Sequence, residues 1–211
     1  MTRAATASVL DVAPVIPVVV VEDVATAVPL ARALLDGGVP IIEVTLRSAP
    51  ALDAIRAIAA EVPELLVGAG TIVSAEQAAA AVDAGARFLV SPGSTDRLLD
   101  ALQHTGLPFL AGCSSPSDML RLLERGITEA KLFPASAVGG VELLRAVAGP
   151  LPQLRFCPTG GITAASAGDY LALPNVGCVG GSWLTPAGAV RAKAWDEITR
   201  LAADTATFSR R

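Results

Sequence analysis

Histidine, lysine and aromatic residues are scarce in this chain, and these shortages limit the kinds of functional site that it can form. There is a single histidine, His104, and no His, Asp and Glu cluster has metal-ligand spacing, so we expect no metal and no cofactor. Only two of the 16 Lys and Arg residues are lysines, Lys131 and Lys193. No basic run occurs before Arg210-Arg211, and the net charge of −4 at pH 7 argues against nucleic acid as a partner.

Long apolar runs and paired cysteines are also missing. The longest uninterrupted apolar run, residues 12–21, contains two prolines and is too short to cross a bilayer. No apolar segment directly follows Arg3, so we expect neither a signal peptide nor a membrane partner. The three cysteines form no C-x-x-C pair and predict reduced, buried thiols in a cytoplasmic protein: Cys113, Cys157 and Cys178.

What the chain does contain is a repeating alternation of strand and helix patterns. Apolar residues make up 52% and charged residues 17%, which predicts a large core in one α/β domain spanning residues 1–211. The predicted strands cover residues 15–21, 40–45, 65–70, 87–91, 107–112, 129–133, 154–158 and 176–179. A helical pattern follows each strand, and the last predicted helix runs from 186 to 203. Eight such units predict a single (β/α)8 TIM barrel with a short N-terminal helix at about 6–12; an open doubly wound sheet is the alternative.

Lys131 is the most informative residue of the sequence. It lies in the apolar segment 129–134, which is short enough to be a buried strand, whereas Lys193 lies in a polar stretch where a solvated lysine needs no explanation. Burial favours the neutral, nucleophilic amine that a Schiff-base lysine requires. Taken alone, the segment also fits a strand-end lysine that extends to solvent.

The predicted carboxyl ends of the strands carry polar and glycine residues, as expected for the active-site face of such a barrel. Glu43 and Arg47 lie on one face of strand 2 by the two-residue period of strands. Glu43 is interpreted as a general acid/base, or otherwise as the ion-pair partner of Arg47 or Lys131. Arg47 offers a planar donor pair for a substrate carboxylate, or it caps the strand at the surface.

Two glycine motifs end the predicted strands 7 and 8, where barrels of this kind often bind phosphate. Glycine lets backbone N–H groups approach a phosphate, although tight turns alone also favour it. Other strand-end residues are candidates for ligand contact or for ordinary loop and packing roles. These candidates are Gly160, Gly161, Gly181, Ser182, Thr71, Thr159, Pro92 and Phe133.

Six motifs, in this order, give the chain a resemblance to the 2-keto-3-deoxy-6-phosphogluconate (KDPG) aldolase family. The resemblance covers about residues 15–186, and the set of motifs is specific although no single one is. The motifs are EVTLR at 43–47, GAGT at 68–71, SPG at 91–93, KLFP at 131–134, PTGGI at 158–162 and GGSW at 180–183.

The resemblance implies a metal-free class I aldolase, usually a homotrimer, that acts on a phosphorylated keto acid. It implies that Lys131 forms the imine, Glu43 moves protons through water, and Pro92 and Phe133 line the cavity. The resemblance further implies that two sets of residues bind the two charged ends of the substrate. These are Arg47, Thr71 and Thr159 for the C1 carboxylate and keto acid, and Gly160, Gly161, Gly181 and Ser182 for the 6-phosphate.

Two departures from the family pattern stand out. Residues 111–116 replace the usual loop after strand 5, and Ser136 stands where some relatives are expected to carry an acidic residue. Close variants remain open, including the galactonate-isomer aldolase and additional use of 4-hydroxy-2-oxoglutarate. A sugar-phosphate isomerase or epimerase and a non-enzymatic ligand-binding barrel are the other hypotheses, but both leave a buried Lys131 beside Glu43 without a role.

Overall fold

A computed structural model describes residues 8–208 and shows eight parallel strands arranged as a barrel. The strands are β1 Val15–Val19, β2 Ile41–Thr45, β3 Leu66–Gly70, β4 Leu89–Val90, β5 Phe109–Cys113, β6 Glu129–Leu132, β7 Arg155–Pro158 and β8 Val179–Gly181. Their order is β7-β6-β5-β4-β3-β2-β1-β8. Single bridges from Phe156 to Val176 and from Thr159 to Gly180 join the two ends, so the barrel is nearly closed. The predicted (β/α)8 barrel is confirmed.

Helices follow the strands and surround them. They are α1 Ala27–Asp36, α2 Ala51–Glu61, α3 Ala75–Asp83, α4 Asp96–His104, α5 Pro116–Glu124, α6 Gly140–Ala148, α7 Ala164–Leu171, α8 Ala187–Arg191 and α9 Trp195–Asp204. Hydroxyl side chains accept the free N–H groups at four helix starts: Ser74, Thr95, Ser115 and Thr163. These four helices therefore begin within a few residues of the carboxyl ends of the strands that precede them.

The C-terminal part of the chain differs from the prediction in two ways. The long helix predicted over 186–203 is two helices, because Lys193 adopts a left-handed conformation (φ 55°) that ends α8. Strand β8 begins at Val179, where it pairs with Val15 of β1, and not at Val176. Gly180 and Gly181 are therefore strand residues. A side chain at Gly181 would overlap the Trp183 ring, so glycine is required for this close packing.

The strands are buried on both faces, as in other parallel sheets covered by helices. All five residues of β2 are buried, including Glu43 and Thr45. Phe88 and Phe156 are the largest fully buried side chains, and the Phe88 ring fills the space beside Gly68 where any side chain would clash. The core therefore holds the strand ends, and with them the candidate site residues, in fixed positions.

A short 3-10 helix, Val9–Asp11, closes the end of the barrel opposite the candidate site. Its Val9 and Leu10 are fully buried, and Asp11 pairs with Arg155, the first residue of β7, at 2.6 Å. Arg155 also contacts Glu129, the first residue of β6, at 3.4 Å. Residues 6 and 7 of the predicted N-terminal helix lie outside the described residues.

The three cysteines are buried and form no disulfide within residues 8–208, in agreement with the expectation from sequence. Over residues 8–208, no helix has the length and apolar character needed to traverse a lipid bilayer.

Candidate active site

The barrel interior contains a buried ion pair between Lys131 of β6 and Glu43 of β2. Lys131 Nζ lies 3.2 Å from Glu43 Oε1, and the two residues are only 5% and 2% exposed. Two charges removed from water in this way need each other, because either one alone would be strongly disfavoured in the core. The two residues that the sequence singled out from separate strands are therefore direct partners.

Gly70, at the end of β3, makes room for the Glu43 carboxylate. A side chain at Gly70 would overlap Glu43 Oε1 and lie 2.6 Å from its Cγ. The Glu43 side chain thus packs against the β3 backbone at Gly70, and its Oε1 contacts Lys131. Sequence reasoning did not assign Gly70 a role of its own, although the glycine-rich end of the third strand was visible as a motif.

The Phe133 ring borders the Lys131 amine. The amine lies 5.4 Å from the centre of the Phe133 ring, close enough for a cation–π contact. Gly160 packs against the same ring, since a side chain there would lie 3.4 Å from it. On the other side, Gly112 pairs in register with Lys131, and a side chain at Gly112 would clash with the Pro92 backbone. Phe133 therefore lies beside the lysine amine, and Pro92 lies against the β5 residue that pairs with Lys131.

Arg47 lies at the end of β2 and is exposed, in contrast to Glu43. Its Nε donates to Thr45 Oγ1 at 3.2 Å, and that hydroxyl donates to the Val19 carbonyl at 2.8 Å. This chain of hydrogen bonds orients the guanidinium, and within residues 8–208 its terminal nitrogens make no other hydrogen bond, so they can bind a ligand. Thr45 is therefore a positioning residue, and the sequence analysis assigned it no function.

Arg47 also lines a cavity of about 510 Å³ at the carboxyl ends of β1 and β8. Ser182 lines the same cavity, together with apolar residues such as Val18 and Val20. The cavity therefore brings one predicted carboxylate-binding residue and one predicted phosphate-binding residue to a shared space of small-molecule size.

The two candidate threonines differ in their surroundings. Thr71 is half-buried directly after β3, and its left-handed backbone (φ 61°) is uncommon for a residue other than glycine. Thr159 is buried, and its hydroxyl donates weakly to the Cys157 carbonyl at 3.4 Å. A side chain at Gly180 would overlap the Thr159 hydroxyl, so the ends of β7 and β8 meet at this point.

Gly160 and Gly161 form an open loop after β7. Both have left-handed backbones, with φ of 102° and 75°, which favour glycine. Within residues 8–208 neither N–H donates to a backbone carbonyl, so both remain available to a ligand. Gly181, by contrast, is buried in β8.

The loop after β5, which departs from the family pattern, forms the N-terminal cap of helix α5. Ser115 caps α5 and Asp118 accepts hydrogen bonds from the N–H groups of Ser114 and Ser115 at 3.1 and 3.0 Å. Ser115 and Asp118 therefore form a capping box, in which the Ser115 hydroxyl is engaged. In the part of the chain that the structure describes, no group of three or more His, Cys, Asp and Glu side chains is placed to hold a metal ion.

The arrangement suits covalent carbonyl chemistry. An amine and a carboxylate at hydrogen-bond distance can exchange a proton, which converts a buried charged pair into a neutral amine and a neutral acid. The neutral amine is a nucleophile toward a carbonyl carbon, and the acid can supply the proton that such an addition needs.

Known proteins similar to this chain match it over nearly its whole length. The family described as aldolase, KDPG and KHG aldolase, matches residues 6–201. The KHG/KDPG aldolase of Escherichia coli strain K12 is 52% identical over 195 residues, which cover 92% of both proteins.

Solved structures agree with this result. The KDPG aldolase of Legionella pneumophila, with pyruvate captured at low pH as a covalent carbinolamine intermediate, gives a TM-score of 0.91 at 43% identity. The match covers 93% of this chain and 95% of that chain. The Zymomonas mobilis ZM4 2-keto-3-deoxy-6-phosphogluconate aldolase, solved with 3-phosphoglycerate, gives 0.89 at 44% identity, covering 95% and 94%.

Proposed function

The chain belongs to the KDPG and KHG aldolase family, and from that premise we propose that it is a class I aldolase. It cleaves 2-dehydro-3-deoxy-6-phosphogluconate to pyruvate and glyceraldehyde 3-phosphate through a Schiff base on Lys131. The observation that carries the proposal is the 3.2 Å contact between two buried groups, Lys131 Nζ and Glu43 Oε1.

Imine formation is the first step. Glu43 accepts a proton from Lys131, and the neutral amine attacks the C2 ketone to give a carbinolamine. Glu43, acting through water, then donates the proton with which the hydroxyl group leaves as water. The product is a protonated imine at C2. The Phe133 ring beside the amine keeps bulk water away from this cation. The face of the ring also stabilises the cation through a cation–π contact.

The protonated imine accepts the electron pair of the breaking bond. Glu43, again through water, removes the proton of the C4 hydroxyl, and the C3–C4 bond breaks to release the aldehyde. The electrons move to the imine nitrogen and leave an enamine of pyruvate on Lys131. Protonation at C3 and hydrolysis then free pyruvate and restore the amine.

The strand-end residues hold the two charged ends of the substrate. Arg47, whose guanidinium is oriented by Thr45, binds the C1 carboxylate together with Thr71 and Thr159. The open N–H groups of Gly160 and Gly161, with Gly181 and Ser182, bind the 6-phosphate. Pro92 and Phe133 flank the reacting carbons.

A second substrate, 4-hydroxy-2-oxoglutarate, fits the same chemistry. It shares the C1 carboxylate, the C2 ketone and the C4 hydroxyl on which the proposed steps depend. The name of the Escherichia coli relative includes both activities, which supports this extension.

Three further features belong to the proposal. The chain forms one domain over residues 1–211, assembles as a homotrimer and acts in the cytoplasm. Exposed Val73 and Leu120 supply apolar surface for subunit contacts, and the three buried cysteines, which form no disulfide within residues 8–208, suit a reducing compartment.

Trapping with pyruvate tests the mechanism. After incubation with pyruvate and sodium borohydride, we expect mass spectrometry to find one reduced pyruvyl group on Lys131. The chain has only one other lysine, so Lys193→Met is a matched control that should keep the adduct, whereas Lys131→Met should lose it. An adduct that persists in Lys131→Met, or none in the wild type, would exclude the Schiff-base mechanism.

A further inference from the structure

Lys193 occupies a backbone position that favours glycine. The N–H of Ala194 donates to the Ala189 carbonyl at 2.9 Å. The N–H of Lys193 donates to the Val190 carbonyl at 3.1 Å, and these two bonds form a Schellman motif at the end of α8. The motif holds Lys193 in the left-handed conformation (φ 55°), which is strained for a residue with a Cβ. Glycine would close the same turn without strain, so the lysine side chain needs a separate explanation.

Lys193 lines the cavity of about 510 Å³ that also contains Arg47 and Ser182. The proposed function assigns these two residues to the charged ends of the substrate. Lys193 reaches the cavity from the end of α8, and so from a different element than the strand ends and the loop after β7. The strained residue is therefore a cation at the wall of the substrate cavity.

The outer wall of this cavity carries four charged residues, Glu22, Asp23, Arg191 and Lys193. Arg191 lies 3.9 Å from Glu22, and Asp23 accepts a hydrogen bond from the Ala25 N–H at 3.0 Å. In the part of the chain that the structure describes, the Lys193 ammonium has no ion-pair or hydrogen-bond partner. Its charge is therefore available to a ligand in the cavity.

We propose that Lys193 is a specificity residue that attracts an anionic second end of the substrate, the phosphate or carboxylate carried by the aldehyde half. This inference rests on the proposed aldolase function and extends it. An ammonium on a flexible side chain attracts such a group by charge and needs no fixed hydrogen-bond geometry. A neutral second end gains nothing from it. Pyruvate has no second charged end, so Lys193→Met still forms the pyruvyl adduct on Lys131.

Steady-state kinetics at low ionic strength test the inference. Lys193→Gln removes the charge and should raise KM for 2-dehydro-3-deoxy-6-phosphogluconate and for 4-hydroxy-2-oxoglutarate about threefold, as expected for one exposed charge interaction. Lys193→Arg keeps the charge and should match the wild type within about 1.5-fold. With 2-keto-3-deoxygluconate, whose second end is neutral, both variants should also match the wild type. In about 1 M salt the effect of Lys193→Gln should disappear, because the charge is screened.

Lys193→Gly removes the charge and the backbone strain together. It should raise KM as Lys193→Gln does and should also raise Tm by about 2–4 °C, whereas Lys193→Gln should leave Tm unchanged. A purely structural role of Lys193 would move Tm alone. Arg200→Gln is the control, because it removes an exposed cation of α9 outside the cavity, and it should leave KM unchanged for all three substrates.

The inference and the proposed function fail in different ways. An unchanged KM for the anionic substrates in Lys193→Gln, or an equal rise with the neutral substrate, would overturn the role of Lys193 while pyruvate still labels Lys131. A Tm that does not rise in Lys193→Gly would overturn the argument from backbone strain. Absence of the pyruvyl label in the wild type would overturn the proposed function, and the inference with it.

Discussion

Each end of this barrel carries an ion pair, but the two pairs lie in opposite environments. Near the carboxyl ends of the strands, Lys131 and Glu43 have side chains only 6% and 3% exposed. At the amino ends, Arg155 pairs with Asp11 through side chains that are 40% and 56% exposed. Both pairs have short contacts, of 3.2 and 2.6 Å, so geometry alone does not distinguish them.

The two pairs differ in burial, and this difference indicates that they serve different functions. An exposed pair is screened by water and contributes about 0–1 kcal/mol to stability. Each ion of a buried pair loses several kcal/mol of hydration free energy, and the attraction between the two ions at best offsets this loss. A buried pair therefore adds little or nothing to the stability of the fold. We interpret the Arg155 and Asp11 contact as a link between the N-terminal 3-10 helix and the barrel, and the Lys131 and Glu43 pair as retained for chemistry.

The largest expected difference between the two ends is in catalysis. Glu43→Gln should lower kcat by about 10²- to 10⁴-fold, because it removes the general acid/base and leaves a neutral amide in its place. Asp11→Asn is the matched change at the other end and should leave kcat within about twofold of the wild type. Steady-state assays of the two variants measure the contrast. Similar activities for both would show that burial does not identify the catalytic pair.

The position of Glu43, and not only its presence, should also control the rate. Gly70→Ala places a methyl group where the carboxylate lies, so Glu43 is pushed away from Lys131. Misplacement of a catalytic group by about 1 Å can lower the rate about a hundredfold. Gly168→Ala is the control, because its side chain meets no atom within 4 Å, and it should retain full kcat. A fully active Gly70→Ala would contradict the tight contact.

Stability should respond to the two pairs in different ways. Lys131→Met leaves Glu43 buried without a partner and should lower the free energy of unfolding by about 3 kcal/mol, whereas the double change to Lys131→Met and Glu43→Leu should be neutral or stabilising. Arg155→Met should lower it by no more than about 1 kcal/mol. Denaturant unfolding measures all three. A double variant as unstable as Lys131→Met would mean that the pair itself stabilises the fold.

The smallest effect concerns Cys113, a buried thiol at the end of β5, beside the strand that carries Lys131. Burial, with the negative charge of Asp118, raises the pKa of the Cys113 thiol to about 12. At pH 8 only roughly one part in ten thousand is then thiolate, so iodoacetamide should leave Cys113 unlabelled in the folded protein. Peptide mapping before and after unfolding checks this. Rapid labelling of the native protein would show that this end of the barrel is wetter than its packing indicates.

Much of this protein follows from local sequence patterns. Eight alternations of apolar strands and helices specify a barrel, because each element must bury its apolar face against the next. Ser74 and Thr95 cap helices α3 and α4, which is the position that serine and threonine favour at helix starts. The chemistry of Lys131 was visible as well, because a lysine in an apolar strand is rare enough to need a reason.

Only the tertiary structure decided which residues meet. Glu43 and Lys131 are 88 positions apart, and no local pattern states that their strands face each other across the barrel at hydrogen-bond distance. The same holds for the overlap between Gly70 and Glu43 and for Ser136 beside Gly161, which depend on the register of separate strands. Sequence periodicity determines the face on which a side chain lies. Closure of the barrel determines what lies opposite that face, and the contact between Lys131 and Glu43 depends on that closure.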